Sequence, residues 1–473
     1  MTVSDSGPCR WSATEQLGAM RRGELSSVEL LQETRAAFDR INPRINAVVT
    51  VDFEAAERAA RASDARREQG LAPRPLEGLP VAVKDLEDTA GLRTTYGSLL
   101  YADHVPEQDA LIVQRMRAAG AVIYGKTNTP EQGTGSHTYN RVFGTTTNPY
   151  ATDRSAGGSS GGAASALAAG LTSVADGSDM GGSLRNPAAF CNVVGIRPTI
   201  GRVPDRPVSD SWDTLATGGP MARTVADTAL LLSVLSGEDP RSPLSIPEAV
   251  PAEVPQLEGP LRVGWSRTLG GLEIEHGISE VLDGSGLPAL RELGHLVTEV
   301  EPDLAEADPA FRTLRAFGYA RSFGAALRSD RDRLGVELIE NTEAGLRLGI
   351  DDLQLAMAQR ERVLQRMMSL FDDIDVLAAP VTTALPFPAE TSWPREINGV
   401  SQSDYLEWMR AATRISITGF TALSVPCGFT PEGLPVGLQL IAPPRREGRI
   451  LALAAQIERL QPHWLRTPAV LVD

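Results

Sequence analysis

The sequence predicts an α/β protein with a largely parallel sheet covered by helices on both faces. Two patterns carry that expectation. From Gly78 onward, short apolar runs of strand length alternate with helical stretches, and such alternation builds parallel strands joined by crossover helices. The run from Ala163 to Ala175 is rich in alanine and leucine and reads as a helix buried on all sides. Length and composition agree: 473 residues, 42% apolar and 22% charged, make a globular chain of one large or two ordinary domains.

Residues 12–70 read as helical. Ser26-Ser27-Val28-Glu29 is a capping-box pattern ahead of Leu30 and Leu31. Asn42-Pro43 is expected to break that helix, and Phe53 to Glu68 to form an amphipathic one. No chemistry is evident there. Pro80 to Lys84 is a predicted strand and Ala110 to Ala119 a helix. Ala121 to Tyr124 is a strand running into Gly125-Lys126-Thr127-Asn128. The loop from Thr127 to Asn148 is rich in Gly, Thr and Asn, and Thr152 to Ala156 is expected to form no strand. Val225 to Leu235 is a helix. A Pro- and Glu-rich stretch, 240–260, marks a boundary before a strand at Leu261 to Trp265. Helices follow at Pro309 to Arg328 and Leu353 to Phe371, where packing is the expected role for most of Phe311, Phe317, Tyr319 and Phe323. Asp375 to Pro380, Ala422 to Phe429 and Pro435 to Ile441 read as strands, and Glu447 to Leu460 as the closing helix.

The chemistry concentrates between Gly157 and Thr199. Gly157-Gly158-Ser159-Ser160-Gly161-Gly162 and Gly181-Gly182-Ser183 embed serines in glycine, with Ser159 and Ser183 24 residues apart. Glycine allows close backbone approach, and successive free N–H groups in such turns form an anion-binding concavity. A serine hydroxyl beside those donors is what acyl transfer requires. A flexible linker is the bland alternative, but the alanine-rich helix that follows argues against a spacer.

Among 45 basic residues only Lys84 and Lys126 are lysines. Arginine stays protonated in proteins, whereas a buried lysine can lose its proton and act as a base. Lys84 ends an apolar run, Leu79 to Val83, that would desolvate its ammonium and lower its pKa.

On these residues the chain resembles the amidase signature family, from about Leu76 to Ala442 with weaker similarity before it. That resemblance implies a large, mixed, mostly parallel twisted sheet with helices on both faces. It implies a Ser-cisSer-Lys triad with Ser183 as nucleophile, Ser159 after a cis peptide bond as the bridge and Lys84 as base. It places the oxyanion hole on the N–H groups of Met180, Gly181, Gly182 and Ser183, and sets Gly133 and Thr134 at the acyl pocket. Mild departures are Ser178 where threonine is frequent, Asn192 where glycine is usual and Arg197 where lysine is usual. Four parts are expected: residues 1–70 as a helical cover, 71–240 as the catalytic core, 241–375 as a helical insertion shaping the entrance, and 376–473 completing the core. The implied activity is hydrolysis of an amide through an acyl-enzyme, with carbamates and esters as related substrates, and without metal or organic cofactor. A homodimer is common among similar proteins.

Competing readings are weaker. His137 is the rival base, and Gly158-Ser159-Ser160-Gly161-Gly162 matches a nucleophile elbow centred on Ser160, a pattern glycine-rich runs produce by chance. Asp179 and Arg185 read as a charge-assisted pair supporting the oxyanion loop rather than as catalysts. Cys191 reads as a small buried hydrophobe. A glutamyl-tRNA amidotransferase component releasing ammonia from glutamine to a partner, or a binding protein on this fold, are the alternatives of different class. Net charge of −15 argues against nucleic acid as partner. Cys9, Cys191 and Cys427 lack metal-ligand spacing and fit a reducing compartment. Met1 to Pro8 lacks the pattern of a secretory leader and no run is long enough to span a bilayer, so a cytoplasmic location is expected. With no strongly charged cluster apparent at the pocket, the expected substrate is a neutral, moderately apolar amide.

Overall fold

A computed structural model describes residues 7–205 and 211–472; most of the N-terminal stretch read for a leader lies outside them. The centre is an eight-stranded sheet. In spatial order its strands are Leu296–Glu299, Arg262–Trp265, Val376–Pro380, Pro435–Ala442, Thr421–Phe429, Val194–Arg197, Thr217–Ala222 and Val174–Asp179. The sheet is mixed, with helices against it, and the parallel pairs are the minority. Arg262–Trp265 runs parallel to both its neighbours, while the five remaining pairings are antiparallel. Parallel neighbours need long crossovers, and these strands are linked by helical segments. Pro435–Ala442 instead follows Thr421–Phe429 through a short hairpin, so the two pair antiparallel. Both are buried along almost their whole length, which is why they read as continuous apolar runs.

Segment 241–375 contributes the helices Ala307–Ser329 and Ile350–Asp373, and also the two strands at one edge of the large sheet. The helices Val225–Leu235 and Glu447–Leu460 stand at the expected residues.

A second sheet of three strands carries Lys84. Pro80–Lys84 pairs parallel with Val122–Thr127, whose other side takes Val48–Val51 antiparallel. That last strand lies in a region expected to be all helix; its Val-Val-Thr-Val sequence is β-branched throughout. The helix before it, Ser27–Ile45, runs through Pro43 instead of stopping there. Pro43 falls in the final turn, where few backbone bonds remain to lose. The Asn42 side chain then accepts from the N–H groups of Ala47 and Val48 and turns the chain into the strand.

Two further expectations are corrected. The buried run after Gly161 is helix only over Gly161–Ala169, stops at Gly170 with φ +78°, and becomes the strand Val174–Asp179. Periodicity cannot separate helix from strand where every position is buried. Residues 152–155 belong to the strand Ala151–Ser155, paired with Thr147–Asn148. Among the described residues no helix is long and apolar enough to cross a membrane.

Candidate active site

Lys84 closes the strand Pro80–Lys84, fully buried, with its N–H donating to the Asp176 carboxylate at 3.0 and 3.3 Å. Its Nζ lies 2.8 Å from Ser159 Oγ, 2.9 Å from Ser160 Oγ and 3.0 Å from Ser178 Oγ. Burial lowers this amine to about 8, against the opposing pull of Asp176, Glu87 and Asp179. An ammonium has a proton for each of the three hydroxyls. A neutral amine has two N–H groups and one lone pair, so one hydroxyl must then donate to it.

The Gly158–Ser159 peptide bond is cis. Ser160 precedes the helix Gly161–Ala169, and its N–H donates to the Ser183 carbonyl at 3.1 Å, so the two glycine clusters are joined through the backbone. Ser183 is 6% exposed. Its hydroxyl has no hydrogen-bond partner among the described residues, and such links commonly tighten only in the substrate complex.

The turn between Val174–Asp179 and Arg185–Phe190 is organised by one carboxylate. Asp179 accepts from Gly182 N–H at 2.8 Å and Leu184 N–H at 3.2 Å. It also takes Arg185 bidentately at 2.9 and 3.0 Å, both side chains being fully buried. Arg197 adds a second cation at 3.6 Å and holds the Asp179 carbonyl. Together these guanidiniums keep the Asp179 carboxyl far below the usual carboxylate range despite its burial. The Gly182 N–H is therefore committed to Asp179, while those of Met180, Gly181 and Ser183 have no partner among the described residues. Gly182 sits at φ +105°, and a Cβ there would fall 2.5 Å from Ala412 Cβ.

Gly133 borders the same centre: a Cβ on it would lie 3.5 Å from Ser159 Oγ. Thr134 Oγ1 is 3.0 Å from the Tyr319 hydroxyl. His137 is elsewhere engaged, with Nδ1 2.7 Å from Ser155 Oγ and Nε2 2.9 Å from the Ala389 carbonyl. Burial lowers its pKa to about 4, and it touches neither Ser160 nor Ser183. Lys126 binds the Glu87 carbonyl and, at 2.8 Å, Thr89 Oγ1, so it fastens the turn after Lys84. Cys191 is fully buried, and desolvation pushes its thiol up.

Sequence reasoning noted Ser178 only as a departure, yet it contacts Lys84. The signal was present: Asp176 and Ser178 alternate on one face of a strand, and both reach the lysine. The usual glycine at Asn192 is also explained, since Asn192 takes φ +55°, a conformation asparagine tolerates.

A cavity of about 380 Å³ meets this centre at Met180 and Gln132. Phe317, Tyr319 and Phe323 line it, and Phe311 abuts Gly181, its Cζ 3.1 Å from where a Cβ would stand. Three of the four aromatics expected mainly to pack thus form cavity wall, because the helix Ala307–Ser329 lies along the catalytic turn. Among the described residues no group of three or more His, Cys, Asp or Glu is placed to hold a metal ion.

The Amidase family profile matches residues 29–451. An acylamidase of Rhodococcus erythropolis is 36% identical, the match covering 97% of each chain. The amidase-like component of the glutamyl-tRNA(Gln) amidotransferase of Chloroflexus aurantiacus is also 36% identical, over 98% of this chain and 99% of that one. The crystal structure of a bacterial aryl acylamidase superposes with a TM-score of 0.89 at 27% identity, covering 97% of this chain and 98% of that chain.

Proposed function

The chain belongs to the amidase signature family and is an amidohydrolase, and from that premise we propose that it cleaves a small-molecule carboxylic amide through Ser183, Ser159 and Lys84. The carrying observation is the buried amine of Lys84, at hydrogen-bond distance from the hydroxyl of a serine held after a cis bond. In its neutral form Lys84 donates to Ser160 and Ser178 and accepts the Ser159 proton, as Ser159 accepts that of Ser183. Ser183 Oγ attacks the carbonyl carbon. The N–H groups of Met180, Gly181 and Ser183 receive the oxyanion, with Gly182 serving instead to bind the turn to Asp179. Collapse breaks the C–N bond as the Ser159 proton passes to the leaving nitrogen and Lys84 reprotonates Ser159. Water then cleaves the acyl-enzyme by the reverse relay. Carbamates and esters present the same carbonyl to the same groups.

Peptide-mapped mass spectrometry after fluorophosphonate treatment tests this reading. An adduct on Ser183 that vanishes in Lys84→Ala is expected. Modification of Ser160, or labelling that survives loss of the lysine, would exclude the relay. The equal identity to an amidotransferase component supports a second reading, in which ammonia from glutamine passes to a partner. Glutamine hydrolysis confined to a co-purifying complex would establish that one; amide turnover by the isolated chain favours the first.

A further inference from the structure

The helix Ala307–Ser329 carries a cation that the relay does not use. Arg315 is 4% exposed and lines the cavity that meets the catalytic turn at Met180. Its guanidinium donates to the Tyr319 hydroxyl at 3.0 Å and to the Asn341 side-chain oxygen. It lies 4.2 Å from the Tyr319 ring centroid and 5.5 Å from that of Tyr405. All of these partners are neutral.

Neighbouring arginines differ. Arg312 pairs with Asp404 at 2.5 Å and Glu407 at 2.8 Å, and Arg414 with Asp308 at 2.6 Å. Among the described residues no carboxylate lies at ion-pair distance from Arg315. A buried charge without a counter-ion is costly, because neutral hydrogen bonds do not return the solvation lost.

Its position gives the missing anion a source. Residues four apart on a helix rise about 6 Å. One turn before Arg315, Phe311 presses on Gly181. One turn after it, Tyr319 holds Thr134, next to the Gly133 that borders Ser159. Arg315 thus stands midway along a wall fixed at both ends to the catalytic centre, on the side of Gly133 and Thr134. The other charged side chains described at the cavity are Arg321, Arg360 and Asp213. Arg360 donates to the Thr214 hydroxyl and the Ile417 carbonyl. Cations predominate among these groups.

Resting on the amidase reading above, we propose that Arg315 receives a carboxylate on the acyl part of the substrate, so that the preferred substrates are monoamides of dicarboxylic acids. This reverses the sequence-based expectation of a neutral amide. That expectation saw no charged cluster because Arg315 is brought to the pocket from a segment 132 residues away from Ser183.

The test compares kcat/KM for malonamate, succinamate, glutaramate and adipamate with alkanamides of matched length, in the wild type, Arg315→Met and Arg315→Lys. The wild type should favour one carboxylate-bearing length over its neutral match by about 100-fold, the scale of a buried charge pair. Arg315→Met should collapse that ratio through KM, and Arg315→Lys should restore part of it. A wild-type preference for the neutral series would overturn the proposal while leaving the hydrolase reading intact. An unchanged ratio in folded Arg315→Met would also overturn it, as expected of a clamp that only holds Asn341 and Tyr319. If Arg315→Met does not fold by circular dichroism, the wild-type preference and the lysine variant decide. Failure of both series to turn over would remove the hydrolase reading and the proposal with it.

Discussion

Lys84 has to be neutral to accept a proton, and burial brings it to about 8. The neutral fraction is then about a tenth at pH 7 and half at pH 8. kcat/KM should therefore climb nearly tenfold per unit below pH 8 and level off above it. A pH–rate profile that is flat or falling from pH 6 to 9 would contradict the base assignment. Ser178 receives one of the two N–H groups of the neutral amine. Ser178→Ala should lower kcat by about tenfold, the equivalent of one hydrogen bond, measured under saturating substrate. His137→Ala should leave the lysine-governed limb of the profile in place, since both ring nitrogens are engaged away from the serines.

The element that carries the chemistry is the turn from Asp179 to Arg185, and it is held by charge rather than by apolar packing. One carboxylate accepts from two N–H groups of the turn and faces two buried guanidiniums. Asp179→Asn keeps the shape but leaves Arg185 and Arg197 uncompensated, so a loss of about 3–5 kcal/mol is expected in urea denaturation. Gly182→Ala meets both a left-handed φ and the Ala412 side chain. It should abolish turnover and fluorophosphonate labelling together, because the Ser183 backbone cannot keep its place. The two glycine clusters were legible as sites from composition alone. Their joining through Ser160 N–H and the Ser183 carbonyl was not, because that bond closes a loop whose length says nothing of its ends.

Across the whole molecule, the large sheet supplies the frame on which that turn is hung. Val174–Asp179, its last strand, leads into Met180, and the central hairpin behind it is buried throughout. Leu440 is fully buried there, and Leu440→Ala should cost about 2–5 kcal/mol by cavity formation. The loss should appear as a lower denaturation midpoint, with turnover per folded molecule retained. Lys84 comes from the other, three-stranded sheet, so the proposed relay spans two sheets. Loosening either one should separate the amine from the serines before global unfolding. Activity should accordingly fall at lower urea than the circular dichroism signal.

The sequence by itself determined the α/β class, the helices at Val225–Leu235 and Glu447–Leu460, and the candidate residues Lys84, Ser159 and Ser183. Each is a local matter of periodicity, composition or a short run of residues, and local chemistry is readable along a chain. Tertiary structure alone decided the direction of most strand pairings, since that depends on which strands become neighbours across long separations. It decided that Gly182 N–H serves Asp179, that three hydroxyls share one amine, and that Arg315 stands at the catalytic wall. Those outcomes depend on burial and on distances between residues remote in sequence, and neither is written in the order of the amino acids.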